Sequence, residues 1–202
     1  MTPFAYRLIF ARHGETAYNA ENRLQGQLDI PLNARGREQA RALGRTLSAR
    51  FGADIERLEA ADAFVASPLL RARETVEILR DAMGLPPGRY RLDAALKELS
   101  FGAWEGLAWP EIEARDPKGV RARGRDKWRF APPGGESYAM LAARLRPWLE
   151  GLTGDAFVVS HGGVARVLMT LIAGVAHMKA VDAPITQGRA LAFAGGGYRW
   201  IV

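Results

Sequence analysis

Cysteine is absent from this 202-residue chain, which excludes disulfides, thiolate metal sites and cysteine nucleophiles. The same absence fits a reducing cytoplasm, the location expected from sequence. Long apolar runs are missing too. Arg166 interrupts the most hydrophobic C-terminal stretch, so no segment is expected to span a bilayer. Met1 to Phe10 lacks the basic start and apolar run of a signal peptide. Histidine occurs three times, and lysine only at Lys97, Lys118, Lys127 and Lys179, so arginine carries the formal charge of +6. A basic balance favours anionic partners such as phosphates or nucleic acid, although a genome-wide arginine bias produces it equally well. With 48% apolar content and no linker or repeat, residues 1–202 read as one globular domain.

The pattern alternates strands and helices. Tyr6 to Ala11 and Ala156 to Ser160 are apolar runs of strand length, and Ala63 to Ala66 is a shorter one. Asn33 predicts a cap for a helix running to about Arg50, with Ala40, Leu43 and Leu47 at helical spacing. Ser67-Pro68 predicts a cap and first turn for a helix reaching about Met83. Further helices are expected over Ser137 to Leu149 and Val164 to Gly174. Gly195-Gly196-Gly197 reads as the turn of a terminal hairpin. The expected fold is a three-layer α/β/α sandwich, with a largely parallel sheet and an antiparallel C-terminal piece. Residues 107–136 form a basic excursion with some helix at Trp109 to Ala114, expected to act as a lid rather than a linker.

Two of the three histidines share one setting. His13 and His161 each follow an apolar strand and precede glycine. Strand carboxyl ends line the ligand crevice of open α/β sheets, so neighbouring strands would bring both imidazoles into one crevice. Glycine lets backbone approach a ligand closely, and a following helix N-terminus offers N–H groups to an anion. His177 lacks such a setting and is assigned no role. With Glu15 or Glu98 the pair could supply enough ligands for zinc. Arg12 and Arg71 argue against a dication and for a phosphate, which guanidinium forks bind bidentately.

Arg12-His13-Gly14-Glu15-Thr16-Ala17-Tyr18-Asn19 resembles the signature of the histidine phosphatase superfamily. The resemblance continues in order through Arg23-Leu24-Gln25-Gly26, Pro31-Leu32-Asn33 and Ser67-Pro68-Leu69-Leu70-Arg71-Ala72. It extends through Glu98 to Gly106, Pro133 to Ser137 and Ser160-His161-Gly162-Gly163, covering nearly the whole chain. It implies that His13 is the nucleophile that becomes phosphohistidine. Arg12, Arg71 and His161 would bind phosphoryl oxygens, with Asn19 adding a hydrogen bond, and Glu98 would protonate the leaving oxygen. Thr16, Gln25, Gly26 and Gly162 would line the substrate pocket. Without the family, Arg71 fits a solvated helix turn equally well, and Glu98 is an ordinary loop carboxylate.

This chemistry is coherent. Histidine attacks phosphorus only when neutral, and flanking arginines favour that form. Positive donors around the transferring group supply most of the catalysis, and a protonated carboxyl expels a poor alkoxide. The expected activity is metal-independent hydrolysis of small phosphate monoesters, with no cofactor, and the wording of the motifs is similar to the α-ribazole and broad-specificity phosphatases. The alternative is a mutase dependent on 2,3-bisphosphoglycerate, but mutases carry a longer stretch where Arg115 to Arg129 lies. That stretch holds seven basic residues. As a lid, its Arg121, Arg123 and Arg125 would favour substrates with a second negative charge. A solvated loop accounts for it equally well. A nucleic-acid-binding module is a further alternative, but interleaved aromatics are missing and no such partner is expected. Neither is a membrane partner, while a homodimer stays open.

Overall fold

The computed structural model describes residues 6–202. Part of the N-terminal segment read for a signal peptide, residues 1–5, lies outside them. Strand β1 (Leu8–Arg12) is followed by a single helical turn, α1 (Ala17–Ala20), and the long helix α2 (Ala34–Ala60). Asn33 caps α2 as expected, its side chain accepting from Gly36 N at 2.8 Å. The helix outruns its predicted end at Arg50. It bends at Phe51 (φ −138°), then continues because Ile55 and Leu58 add to the buried stripe.

Next come β2 (Phe64–Ala66), α3 (Leu70–Ala82) and the short β3 (Arg91–Leu92). Here Ser67 departs from its predicted part as helix cap. The Leu70 N–H at the start of α3 donates instead to Asp29 Oδ1, 2.6 Å away and 41 residues earlier. A distant carboxylate has taken the capping position, leaving the Ser67 hydroxyl for other work.

The excursion holds α4 (Trp109–Arg115) and a second helix, α5 (Pro117–Arg125), absent from the sequence reading. Pro117 starts α5 and the Asp116 side chain caps it, accepting from Gly119 N at 2.8 Å. The chain then forms α6 (Tyr138–Glu150), β4 (Ala156–Ser160), α7 (Gly162–Ala173) and the single turn α8 (His177–Ala180). It ends with β5 (Ala190–Ala194) and β6 (Gly197–Trp200). Only Gly195 and Gly196 form the hairpin loop, at φ 57° and 75°, as a two-residue turn of matching twist requires; Gly197 already belongs to the strand.

The six strands lie in the order β3-β2-β4-β1-β5-β6. The pairs β3–β2, β2–β4 and β4–β1 are parallel; β1–β5 and β5–β6 are antiparallel. Alternate residues separate two cores. Ile9, Ala11, Phe64, Phe157 and Val159 pack with α2 and α3, while Leu8, Phe10, Val65 and Val158 pack with α6 and α7. This is the expected three-layer sandwich. Among the described residues no helix is long and apolar enough to cross a membrane.

Candidate active site

The register of the central strands builds the site. Arg12 of β1 pairs with Ser160 of β4, and Ala66 of β2 pairs with Val159, so His13, His161 and Ser67 leave three adjacent strands at one level. The His13 N–H extends the ladder to Ser160 O at 2.9 Å. The two imidazoles face each other with ring centroids 5.1 Å apart. Gly14 then turns the chain against the first turn of α2, where a Cβ would overlap the carbonyl oxygen of Gly36. Its N–H donates to Thr75 Oγ1 at 3.0 Å.

The His13 ring is held at both nitrogens. Nδ1 lies 2.7 Å from Gly14 O, and a carbonyl can only accept, so Nδ1 carries the proton. Nε2 therefore bears the lone pair, and Arg71 Nε donates to it at 3.3 Å. Burial, then Arg71 and Arg12, push the His13 pKa well below that of a free imidazole. Burial, Arg71, His13 and Arg12 do the same to His161. Both rings are neutral near pH 7.

Arg71 is fully buried, ruling out the solvated alternative. Nη1 and Nη2 donate to Leu28 O at 2.8 Å and Gly26 O at 2.7 Å. Burial lowers its pKa to about 10, partly offset by Glu98 and Asp29. Arg12 Nη1 donates to Ile185 O at 2.8 Å. The Nη donors of both guanidinium groups thus rest on carbonyl dipoles, leaving the positive charge for an anion. Two buried polar atoms in this cluster, Arg12 Nε and His161 Nδ1, have no hydrogen-bond partner. Buried polar atoms left without a partner at a cationic crevice call for a ligand or water.

Glu98 joins from the loop after β3. Its Oε2 accepts from Gly163 N in the first turn of α7 at 3.1 Å, and Oε1 accepts from Leu99 N at 3.0 Å. Gly163 lies two residues after His161, so the bond to its N–H sets the carboxylate beside the histidine pair. Thr16, Asn19 and Gln25 form one network: Thr16 Oγ1 donates to Gln25 Oε1 at 2.9 Å, and Asn19 N donates to Thr16 Oγ1 at 3.1 Å. Gly26, at φ 50°, supplies its carbonyl to Arg71, and Gly162 opens α7 beside Arg12 Nε. All ten residues singled out from sequence converge on one end of the sheet.

Sequence reasoning missed several partners. Ser67 contacts His161 Nε2 at 2.7 Å, and Gln187 Nε2 donates to Asn19 Oδ1 at 2.9 Å from the loop before β5. Arg166 Nη1 lies 3.3 Å from the Tyr138 hydroxyl on the Arg12 side. Thr75, one turn after Arg71, carried a usable signal in its spacing; Gln187 carried none.

The family model described as histidine phosphatase superfamily, branch 1, matches residues 8–201. The chain belongs to this superfamily. A glucosyl-3-phosphoglycerate phosphatase of Mycolicibacterium vanbaalenii is 36% identical over 181 residues, covering 84% of this chain and 75% of the relative. A 2,3-bisphosphoglycerate-dependent phosphoglycerate mutase of Methylobacterium radiotolerans is 31% identical, covering 92% and 88%. Among solved structures, the α-ribazole phosphatase from Shigella flexneri superposes with a TM-score of 0.79 at 26% identity, covering 97% and 95%. The histidine phosphatase fold thus accounts for nearly the whole chain.

Proposed function

We propose that this protein is a phosphatase hydrolysing small phosphate monoesters through a phosphohistidine at His13, without a metal or an organic cofactor. The observation that carries this reading is the neutral His13 ring, whose proton is tied to Gly14 O while Nε2 points its lone pair at the arginine cluster. A phosphoryl group seated there takes over the Arg71 donor, gains the free Arg12 Nε donor and meets the unpartnered His161 nitrogen. Nε2 forms a bond to phosphorus as the ester P–O bond breaks. Glu98 supplies the proton to the departing alkoxide. Water then attacks the phosphohistidine, Glu98 takes a proton from it, and inorganic phosphate is released with His13 restored. Asn19, Thr16, Gln25, Gly26 and Gly162 line the walls.

Residues 1–202 are read as one catalytic domain with 107–136 as its lid. The substrate class favoured is a small phosphorylated metabolite carrying a second anionic group. Arg123 supports this: alone of Arg121, Arg123 and Arg125 it is drawn inward, its guanidinium 5.3 Å from the Trp109 ring centre, while the other two are exposed. Arg123→Ala is therefore expected to raise KM for a doubly anionic ester more than for a neutral aryl phosphate. Equal effects on both refute the lid reading. Location in the cytoplasm is part of the same proposal, and a homodimer is compatible with it.

A turnover screen of phosphate monoesters, with chelator and no added metal, tests the reaction. Acid-quench trapping tests the intermediate, which must be acid-labile, alkali-stable and lost in His13→Ala. Activity abolished by chelator overturns the metal-free reading. The mutase relative keeps a second reading alive: interconversion of 3- and 2-phosphoglycerate dependent on 2,3-bisphosphoglycerate would establish it.

A further inference from the structure

Ser67 ends β2 beside the end of β4, so in the strand order it flanks His161 on the side opposite His13. Its backbone N–H donates to Val159 O at 3.0 Å, fixing the residue at the sheet. Ser67 and His161 are both wholly buried. The serine oxygen sits 2.7 Å from His161 Nε2 and accepts from Leu69 N at 3.3 Å. Pro68, between them, has no N–H to offer. Among the described residues, His161 Nε2 is the acceptor within hydrogen-bond distance of the Ser67 hydroxyl proton.

A neutral imidazole carries one ring proton, and two arrangements are open to it. With the proton on Nε2, the ring donates to Ser67, the buried serine proton loses its acceptor, and Nδ1 is left with a lone pair. With the serine donating to Nε2, the hydroxyl is satisfied as donor and acceptor, and the ring proton resides on Nδ1. Nδ1 is the buried ring atom without a partner. The second arrangement leaves no buried proton stranded except the one on Nδ1, which an anion bound beside the paired histidines would accept.

We propose that Ser67 is a positioning residue that holds His161 in the Nδ1–H form, so that an uncharged imidazole presents a fixed donor to the group bound at His13. The catalytic part of this inference rests on the phosphoryl-transfer reading above; the tautomer part does not. His161 then needs no charge to act. A protonated ring beside Arg12 and Arg71 would repel both, whereas a neutral ring with a fixed N–H adds a donor without that penalty.

Nitrogen-15 NMR of histidine-labelled protein reads the tautomer directly, with His161→Gln used to assign the resonances. The wild type is expected to show His161 protonated at Nδ1 and bare at Nε2 near pH 7.5. In Ser67→Ala that pattern should shift toward Nε2–H or an averaged ring. Its kcat should fall by roughly 10-fold to 100-fold, as for loss of groups that orient an active-site histidine, while KM for an aryl phosphate changes far less. Ser67→Thr keeps a hydroxyl and should restore both readouts. A wild-type His161 protonated at Nε2 overturns the proposal, whether or not the alanine variant folds. So does a folded Ser67→Ala that keeps the Nδ1–H pattern and full kcat. If the wild type hydrolyses no phosphate ester, the functional reading fails while the spectrum still decides the tautomer.

Discussion

His13 and His161 leave neighbouring parallel strands at the same level, each followed by glycine, yet opposite atoms of their rings are tied down. At His13 the nearby carbonyl of Gly14 takes Nδ1, and Nε2 is left with its lone pair in front of Arg71. At His161 the Ser67 hydroxyl takes Nε2, and Nδ1 is left without a partner. On the proposed function, one ring attacks and the other holds. Identical local grammar gives two chemistries because the partner comes from the residue's own turn in one case and from the adjacent strand in the other.

The largest effect should separate the two rings. His13→Ala should lower kcat on the order of ten-thousand-fold or more and abolish the acid-labile phosphoenzyme, as loss of a nucleophile does. His161→Ala should cost about 100-fold to 1,000-fold, the range for one lost transition-state donor, and still form the label. Equal losses, with no label in either, would erase the distinction.

Glu98 belongs to the His161 side, held by Gly163 N. Glu98→Gln keeps an oxygen for that bond but cannot give a proton. The kcat for an alkyl phosphate should fall about 100-fold to 10,000-fold, and much less for a nitrophenyl ester, whose leaving group needs no proton. A uniform loss across leaving groups would assign Glu98 to binding instead.

The two glycines sharpen the contrast further. A Cβ at Gly14 overlaps backbone of α2, so Gly14→Ala should destabilise the fold by about 1–3 kcal/mol. At Gly162 the nearest atom is 3.6 Å away, so Gly162→Ala should stay within roughly 0.5 kcal/mol in chemical denaturation.

The smallest effect tests what the rings share. Both pKa values are lowered on folding, so below about 6.5, where an unfolded histidine protonates, the unfolded chain binds more protons than the folded one. Stability contributed by the neutral rings is complete above that pH and declines as pH falls toward the folded values. Unfolding free energy measured from pH 8 to pH 5 should drop, with a shallower slope in His13→Gln and in His161→Gln. An unchanged slope in either variant would mean that ring is not held neutral.

The sequence by itself determined the central strands, most of the flanking helices and the order of the motifs, and it singled out ten residues that the fold brings to one end of the sheet. Apolar runs, an asparagine cap and glycine after each histidine are local signals with local causes. It did not reveal that Asp29 would cap α3 from 41 residues away, freeing Ser67 from the role its Ser-Pro pair suggests. Nor did it reveal the bend at Phe51 or the helix α5, where Pro117 and the Asp116 cap outweigh glycine-interrupted propensity. Tertiary structure alone decided that Arg71 is buried on carbonyls, that Gln187 reaches Asn19, and which nitrogen of each histidine a neighbouring oxygen takes. These are pairings across adjacent strands and separate loops, and only the folded register brings their atoms within hydrogen-bond reach.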